Sequence, residues 1–258
     1  MKTTGNTILI TGGGSGIGRG LAQALQALGN QVIIAGRRQQ ALDETTKANP
    51  GMASAVLDID HADSIRSFAK DLTEKFPALN VLINNAGIMR METMQSQQDD
   101  LGDAEATITT NLLGPIRLTA ALLPVLKKQA SATIINVTSG LAFVPMAVTP
   151  TYSATKAALH SYTESLRYQL RSTKIEVLEL IPPYVATELM GPHQTSDPRA
   201  MPLDAFIAET MEILKRQPAA EEICVKNVEP LRYAAQGGHY NDVFKGFNDA
   251  IASAAAGH

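Results

Sequence analysis

Thr7-Ile8-Leu9-Ile10-Thr11-Gly12-Gly13-Gly14-Ser15-Gly16-Ile17-Gly18 is the stretch whose reading decides the fold. Thr7–Ile10 is a short β-branched run of the kind that forms a buried strand. Arg19–Leu28 follows as a helix, with Leu21, Ala24, Leu25 and Leu28 at helical spacing and Gly29 as its stop. A strand, a glycine-rich turn and a helix in this order bring backbone N–H groups and the positive end of a helix dipole to one point. That arrangement cradles a pyrophosphate. The spacing is TGxxxGxG rather than GxGxxG, yet its strand–turn–helix context is the one such a motif requires. Gly12, Gly14, Ser15, Gly16, Ile17 and Gly18 are the expected contacts, against the plainer alternative of a turn that is only a turn.

Working outward, strands and helices alternate. Strands are expected at Val32–Ala35, Ala53–Leu57, Val81–Ile83, Thr133–Val137 and Ile175–Leu180. Helices are expected at Gln39–Ala48, Asp63–Phe76, Gln98–Thr109, Leu112–Lys128, Thr151–Ser172 and Leu203–Arg216. The near-continuous apolar strands suit a parallel sheet covered on both faces, an α/β doubly wound Rossmann-type fold of six to seven strands. The 258 residues are expected to form one domain. Within it, the proline-interrupted segment at about 184–220 reads as a substrate lid, and 221–258 as a helical tail.

Bulk properties narrow the partners. A net charge of −3 argues against nucleic acid. No signal peptide is recognisable at the N-terminus and no apolar run reaches the ~20 residues of a membrane span, so a cytoplasmic protein is expected. The single cysteine, Cys224, reads as a packing residue, and His193 and His239 have no ligand partners at metal spacing, so no metal is expected.

The tip of the second strand bears on the nucleotide. An acid there would bond the ribose 2′-hydroxyl of NAD, but this chain carries Gly36, Arg37 and Arg38. Guanidinium groups suit a 2′-phosphate, which favours NADP over NAD, unless the two arginines are merely solvated. Beyond the third strand, Asp58, with Ile59 beside it, could accept from the adenine amino group or could cap the next helix.

Tyr152 and Lys156 lie four apart on a helical stretch and so share one face, while Ser139 follows the fifth strand. A parallel sheet sets the C-terminal ends of its strands along one edge, where the three can meet. Reducing a carbonyl needs a hydride at carbon and a proton at oxygen. A phenol can give the proton, and a nearby ammonium is expected to lower its ordinary pKa of about 10. Ser139 would hold the substrate oxygen, and Asn111 would place a water that relays protons to Lys156.

These pieces resemble the single-domain short-chain dehydrogenase/reductase family: the glycine turn, Asn84-Asn85-Ala86-Gly87, Asn111, Ser139, and Tyr152-Ser153-Ala154-Thr155-Lys156. The resemblance implies NAD(P)-linked alcohol or carbonyl chemistry, with Tyr152 as acid/base and Lys156 also binding nicotinamide ribose. It implies that Asn85, Ala86 and Gly87 contact the adenosine side, and that Pro182, Val185 and Thr187 lie along the nicotinamide. Two features depart from the family: Pro182-Pro183 replaces the usual Pro-Gly, and the seventh strand is hard to find. Val228–Ala235 and Asn241–Ala255 read as helical instead, a tail similar to that of the DltE-type bacterial oxidoreductases. A homodimer through the helices at Leu112–Lys128 and Thr151–Ser172 is therefore expected, with a homotetramer as alternative.

Of the remaining residues, His160 reads as packing or interface. Met89, Met91 and Met94 are candidate pocket residues, with Tyr184, Leu189 and Met190 in the lid. The expected function is an NADP-dependent oxidoreductase acting on a small carbonyl or alcohol; the rival is a non-catalytic NADP-binding redox sensor or scaffold.

Overall fold

The computed structural model describes residues 1–95 and 100–256. Seven strands form one parallel sheet in the order β3-β2-β1-β4-β5-β6-β7. They are β1 Thr7–Thr11, β2 Gln31–Gly36, β3 Ala53–Val56, β4 Leu79–Asn84, β5 Ala132–Val137, β6 Ile175–Ile181 and β7 Glu222–Cys224. The order reverses between β1 and β4, which opens a crevice at the C-terminal ends of those two strands.

Alternation along the strands divides the core into two layers. Ile8, Ile10, Val32, Ile34, Ile135 and Val137 face α1 (Gly16–Ala27) and α7 (Leu203–Arg216), packing with Leu21, Leu25, Phe206 and Leu214. Leu9, Ile33, Leu82, Ile134, Ile175 and Val177 face the other way. There they meet Ile65, Phe68 and Leu72 of α3 (Ala62–Lys75), Leu118, Leu122 and Leu126 of α5 (Gly114–Leu126), and Leu166 and Leu170 of α6 (Pro150–Leu170). The remaining helices are α2 (Gln39–Ala48), α4 (Gly102–Ile108), the short α8 (Glu229–Arg232) and α9 (Tyr240–Ala256).

Three sequence expectations need correction. The helical tail contains a strand: β7 pairs with β6 through Glu179–Glu222, Leu180–Ile223 and Ile181–Cys224. Its three residues include one fully buried apolar side chain, Ile223, too little to leave a periodic signal. The helices expected at Gln98–Thr109 and Leu112–Lys128 are joined, because α4 passes into α5 through a π-helical turn at Thr109–Leu113. Gln98 itself lies outside the described residues. The joined stretch, Gly102–Leu126, is long and apolar enough by composition to cross a membrane, whereas no such run was expected. Its Leu118, Leu122 and Leu126 are buried against the sheet.

Buried polar side chains fix α6 to the sheet. Asn84 of β4 donates to Asn136 of β5 at 2.8 Å, and Asn136 donates to Thr163 of α6 at 2.8 Å. Such bonds leave few alternative registers, because a shift would strand buried amides without partners.

Phe206 has no exposed surface and anchors α7 to the sheet. Phe206→Ala is expected to lower unfolding free energy by about 3–5 kcal/mol, measured by urea denaturation. A loss below about 1 kcal/mol would contradict this packing.

Candidate active site

The glycine turn has the conformation its composition demands. Gly12 and Gly16 adopt φ of 67° and 51°, a region costly for side chains with a Cβ. A Cβ on Gly18 would stand 2.4 Å from the Gly12 carbonyl oxygen and 2.5 Å from Asn85 Nδ2. Ser15 occupies the N-cap of α1 but makes no side-chain capping bond, so the free N–H groups of the first turn face the crevice without it.

The exit of β4 is stitched to this turn. Thr11 Oγ1 accepts from the backbone N–H groups of Asn85 and Ala86, both at 3.0 Å, and Asn85 Nδ2 donates to the Thr11 carbonyl at 2.9 Å. Gly87 then passes close to two candidate site residues: a Cβ there would lie 3.2 Å from Asn111 Oδ1 and 3.8 Å from Lys156 Nζ. Asn111 sits in the π-helical turn, fully buried. Its amide accepts from the Ile88 N–H and donates to the Ile88 carbonyl, each at 2.8 Å, and reaches Thr155 Oγ1 at 3.3 Å. The side chain therefore braces the β4 exit loop. A π turn inside a helix commonly marks a functional position.

Ser139, Tyr152 and Lys156 come together as expected and are all buried. The Tyr152 phenol is hydrogen-bonded with Ser139, whose Oγ also accepts from the Leu141 N–H at 3.1 Å. Lys156 Nζ lies 5.6 Å from the Tyr152 ring centroid and donates to the Val137 carbonyl at 2.8 Å. The expected lowering of the phenol by the ammonium is overturned. Burial pushes Tyr152 up to about 12 against a smaller opposing effect of Ser139. The cause is an apolar wrapping, since Tyr152 packs with Met89, Met146, Leu141, Val148 and Met190. Burial also brings Lys156 down to about 8, opposed by the charge of Glu179.

Sequence reasoning missed the cover of this site. Phe247 and Ile251 of α9 pack against the same cluster. Asn248 clamps α9 in place, its Oδ1 accepting from the Ala147 N–H at 2.7 Å and its Nδ2 donating to the Pro145 carbonyl at 3.1 Å. The only sequence signal was the amphipathic spacing of Phe247 and Ile251 across one helical turn. Glu92 was missed as well; its carboxylate accepts from the N–H and hydroxyl of Thr151 and so caps α6.

The expected lid is shaped by one buried amide. Gln194 Nε2 donates to the Val185 carbonyl at 2.7 Å and to Thr187 Oγ1 at 3.2 Å, while its Oε1 accepts from the Met190 N–H at 2.8 Å. Thr187 lies against Gly16, 3.5 Å from where a Cβ would stand. The Pro182 carbonyl accepts from the Gly140 N–H at 2.9 Å, joining the ends of β6 and β5. A cleft of about 380 Å³ is bounded by Met89, Arg90, Met91 and Glu188–Gly191. Met91 and Met94 are exposed, so of the three methionines only Met89 belongs to the buried cluster. Tyr184 donates instead to Asp197 at 3.1 Å.

At the far end of the crevice, Arg37 is half exposed and paired with Asp60 at 3.0 Å, a partner the sequence did not reveal. Arg38 reaches Ser15 Oγ at 3.2 Å. Asp58 accepts from the Asp60 N–H at 3.1 Å and contacts His61 at 2.8 Å, the helix-entry role weighed as its alternative. Ile59 is a core residue packed against Gly114. The Cys224 thiol is pushed up to about 12 by burial and by Glu222, the state of an inert packing cysteine.

Gly18→Ala would force the Gly12 carbonyl or the Asn85 amide aside. It is expected to cost about 1–3 kcal/mol, read from the denaturation midpoint; an unchanged midpoint would refute the close approach.

The family described as short chain dehydrogenase matches residues 6–197. The oxidoreductase DltE of Bacillus subtilis is 39% identical over 251 residues, covering 96% of this chain and 98% of that protein. Among solved structures, a short chain dehydrogenase from Burkholderia cenocepacia in complex with NADP superposes with a TM-score of 0.78. It is 25% identical and covers 93% of this chain and 98% of its own. The closed form of a serine dehydrogenase complexed with NADP+ gives a TM-score of 0.74 at 27% identity, covering 84% and 91%. With three-quarters of its length matched, and with the turn, the Tyr–Lys helix and the sheet order in place, the chain belongs to the short-chain dehydrogenase family.

Proposed function

We propose that this protein is an NADP-dependent oxidoreductase that interconverts a small carbonyl compound and its alcohol. The observation that carries the reading is the buried meeting of Tyr152, Ser139 and Lys156 beside Gly87, at the edge of the sheet where the glycine turn opens. The residues fit a dinucleotide. The positive-φ glycines and the uncapped start of α1 offer backbone N–H groups to a pyrophosphate, and Thr187 borders the same turn. Arg37 and Arg38 stand at the tip of β2 and the start of α2, where a 2′-phosphate would be received. The structural relatives bound to NADP or to NAD support a nicotinamide dinucleotide, and the preference for NADP rests on Arg37 and Arg38.

The reduced nicotinamide supplies the hydride when bound. The chain's own residues handle the proton. With its phenol pushed up to about 12, Tyr152 is protonated near neutral pH and is an acid ready to give its proton to a carbonyl oxygen. Ser139 orients that oxygen. As the proton leaves, negative charge develops on Tyr152 Oη, and the Lys156 ammonium stabilises it through the low-dielectric interior. In the alcohol-oxidising direction the same groups act in reverse, with Tyr152 taking up the hydroxyl proton. Asn111 keeps the β4 exit in place so that Gly87 and Lys156 stay adjacent. The walls set the substrate class: Met89, Met146, Val148 and Met190, with Phe247 and Ile251 above, suit a carbonyl with apolar substituents. Residues Asn85 and Ala86 would border the adenosine side, with Pro182 and Val185 along the nicotinamide. The outward faces of α5 and α6 are the proposed homodimer contact, in a cytoplasmic setting.

Tyr152→Phe removes the proton and leaves the turn intact. Turnover is expected to fall by about 10²–10⁴-fold, followed by NADPH absorbance on a panel of aldehydes and ketones, while NADP affinity by calorimetry holds. Undiminished turnover by the variant would refute the assignment. Arg37→Ala is expected to weaken NADP by about tenfold and to leave NAD affinity unchanged, because the 2′-phosphate is the nucleotide group that the guanidinium would meet. Equal losses for both nucleotides would rule that contact out.

A further inference from the structure

Beneath the site, a charged residue stands where the sheet calls for an apolar one. Ile175 and Val177 of β6 turn toward the α6 layer, and alternation puts Glu179 on the same face, with no exposed surface. A carboxylate withdrawn from water is tolerated only when it is well partnered. Glu179 has two partners. Its Oε1 accepts from Thr138 Oγ1 at 2.6 Å, and its Oε2 lies 2.8 Å from His160 Nδ1.

The sequence positions of those partners give the arrangement its meaning. Thr138 immediately precedes Ser139 at the end of β5. His160 lies one helical turn beyond Lys156, which lies one turn beyond Tyr152. One carboxylate thus bridges the strand end that carries the serine and the helix that carries the tyrosine and lysine. His160, read from sequence as packing or interface, is the helix-side anchor. Its ring also meets Phe143 edge-on, at 4.7 Å between centroids.

We propose that Glu179 is a positioning residue for the reaction, clamping the Ser139 turn to α6 and setting a buried negative charge against His160, one helical turn from Lys156. The inference rests on the roles given to Tyr152 and Lys156 above.

The surrounding charges leave Glu179 as the group that acts on Lys156. On α6, the bond to Glu179 raises the proton affinity of His160 above its usual range, while Glu164 is mostly exposed. On β7, Glu222 neighbours Glu179 across the strand pairing, but Arg232 of α8 grips both its oxygens at 2.7 Å and offsets its charge. Cys224 is protonated across the working range, its thiol pushed up to about 12, and the Tyr233 phenol is also raised by burial. Arg167 is occupied by the Val177 carbonyl and Glu221. His160, Glu179 and Glu222 lie close enough together to suggest a cation site. Their carboxylate oxygens are already bonded to Thr138, His160 and Arg232, so a hydrogen-bonded clamp is the better account.

The sign follows from electrostatics. Burial draws Lys156 down to about 8, and the negative charge of Glu179 opposes that fall. Without that charge the ammonium loses its proton at lower pH. The test is an NMR titration of ε-carbon-labelled lysines in the cofactor-free protein, the Lys156 signal assigned from its loss in Lys156→Met. In folded Glu179→Gln the Lys156 midpoint is expected to fall by about one pH unit, and the alkaline limb of the kcat/KM profile is expected to move the same way. Glu179→Asp, which keeps the charge, should return the midpoint toward that of the wild type. A midpoint unmoved in Glu179→Gln overturns the proposal.

Should Glu179→Gln fail to fold, Thr138 decides. Thr138→Val is expected to lower kcat by about tenfold at unchanged KM, with Thr138→Ser restoring it; a valine variant as active as wild type overturns the clamp. Wild-type protein that turns over no carbonyl on the panel would overturn the functional reading itself. An active wild type with an unmoved lysine midpoint would overturn only the role of Glu179.

Discussion

The site depends on a lysine ammonium taken out of water at the seam between β5 and α6. Lys156 is 4% exposed and is held at 2.8 Å by the Val137 carbonyl. Desolvation shifts the proton affinities of the lysine and of the neighbouring phenol in opposite directions. It disfavours the charged lysine and the charged tyrosinate alike, drawing Lys156 toward 8 and Tyr152 toward 12. Tyr152 is thereby the group that holds its proton most firmly. That suits a proton donor better than a standing base, and the order is set by packing rather than by a direct contact between the two charges.

The fold makes this burial possible by enclosing the site from several directions. The sheet order brings the exits of β1, β4 and β5 to one edge. Thr11 ties the β4 exit to the glycine turn, and the ladder from Asn84 through Asn136 to Thr163 sets α6 against the strands. The loop shaped by Gln194 and α9, clamped by Asn248, add the apolar cover. In the proposed reaction, an arrangement closed by methionine, phenylalanine and isoleucine would favour apolar substituents and exclude water from the developing charge.

Much of this was legible in the sequence because it is local. The glycine turn, the buried strands and the Tyr152–Lys156 spacing each follow from periodicity or backbone freedom over a few residues. The rest required distant partners. β7 is three residues long and gains its identity only by pairing with β6. The junction of α4 and α5 is a π turn that no propensity marks. Asp60 meets Arg37 across two strand ends, Glu179 meets His160 across a helix–strand layer, and Phe247 packs against the Met89, Met146 and Tyr152 cluster from a distant part of the chain. The phenol's proton affinity was misjudged for the same reason. The lysine four residues away is visible in sequence, whereas the methionines that desolvate the ring come from separate loops.

The account is tested most directly by following the transferred hydrogen. NADPH carrying deuterium on one or the other face of nicotinamide carbon 4 would be supplied with an aldehyde or ketone bearing apolar substituents, and the product analysed by mass spectrometry and NMR. Deuterium delivered from one face only, to the carbon that bore the carbonyl, with the hydroxyl proton drawn from exchangeable sites, is the predicted result. An alcohol product free of deuterium from either labelled face, or no product across the panel, would contradict it.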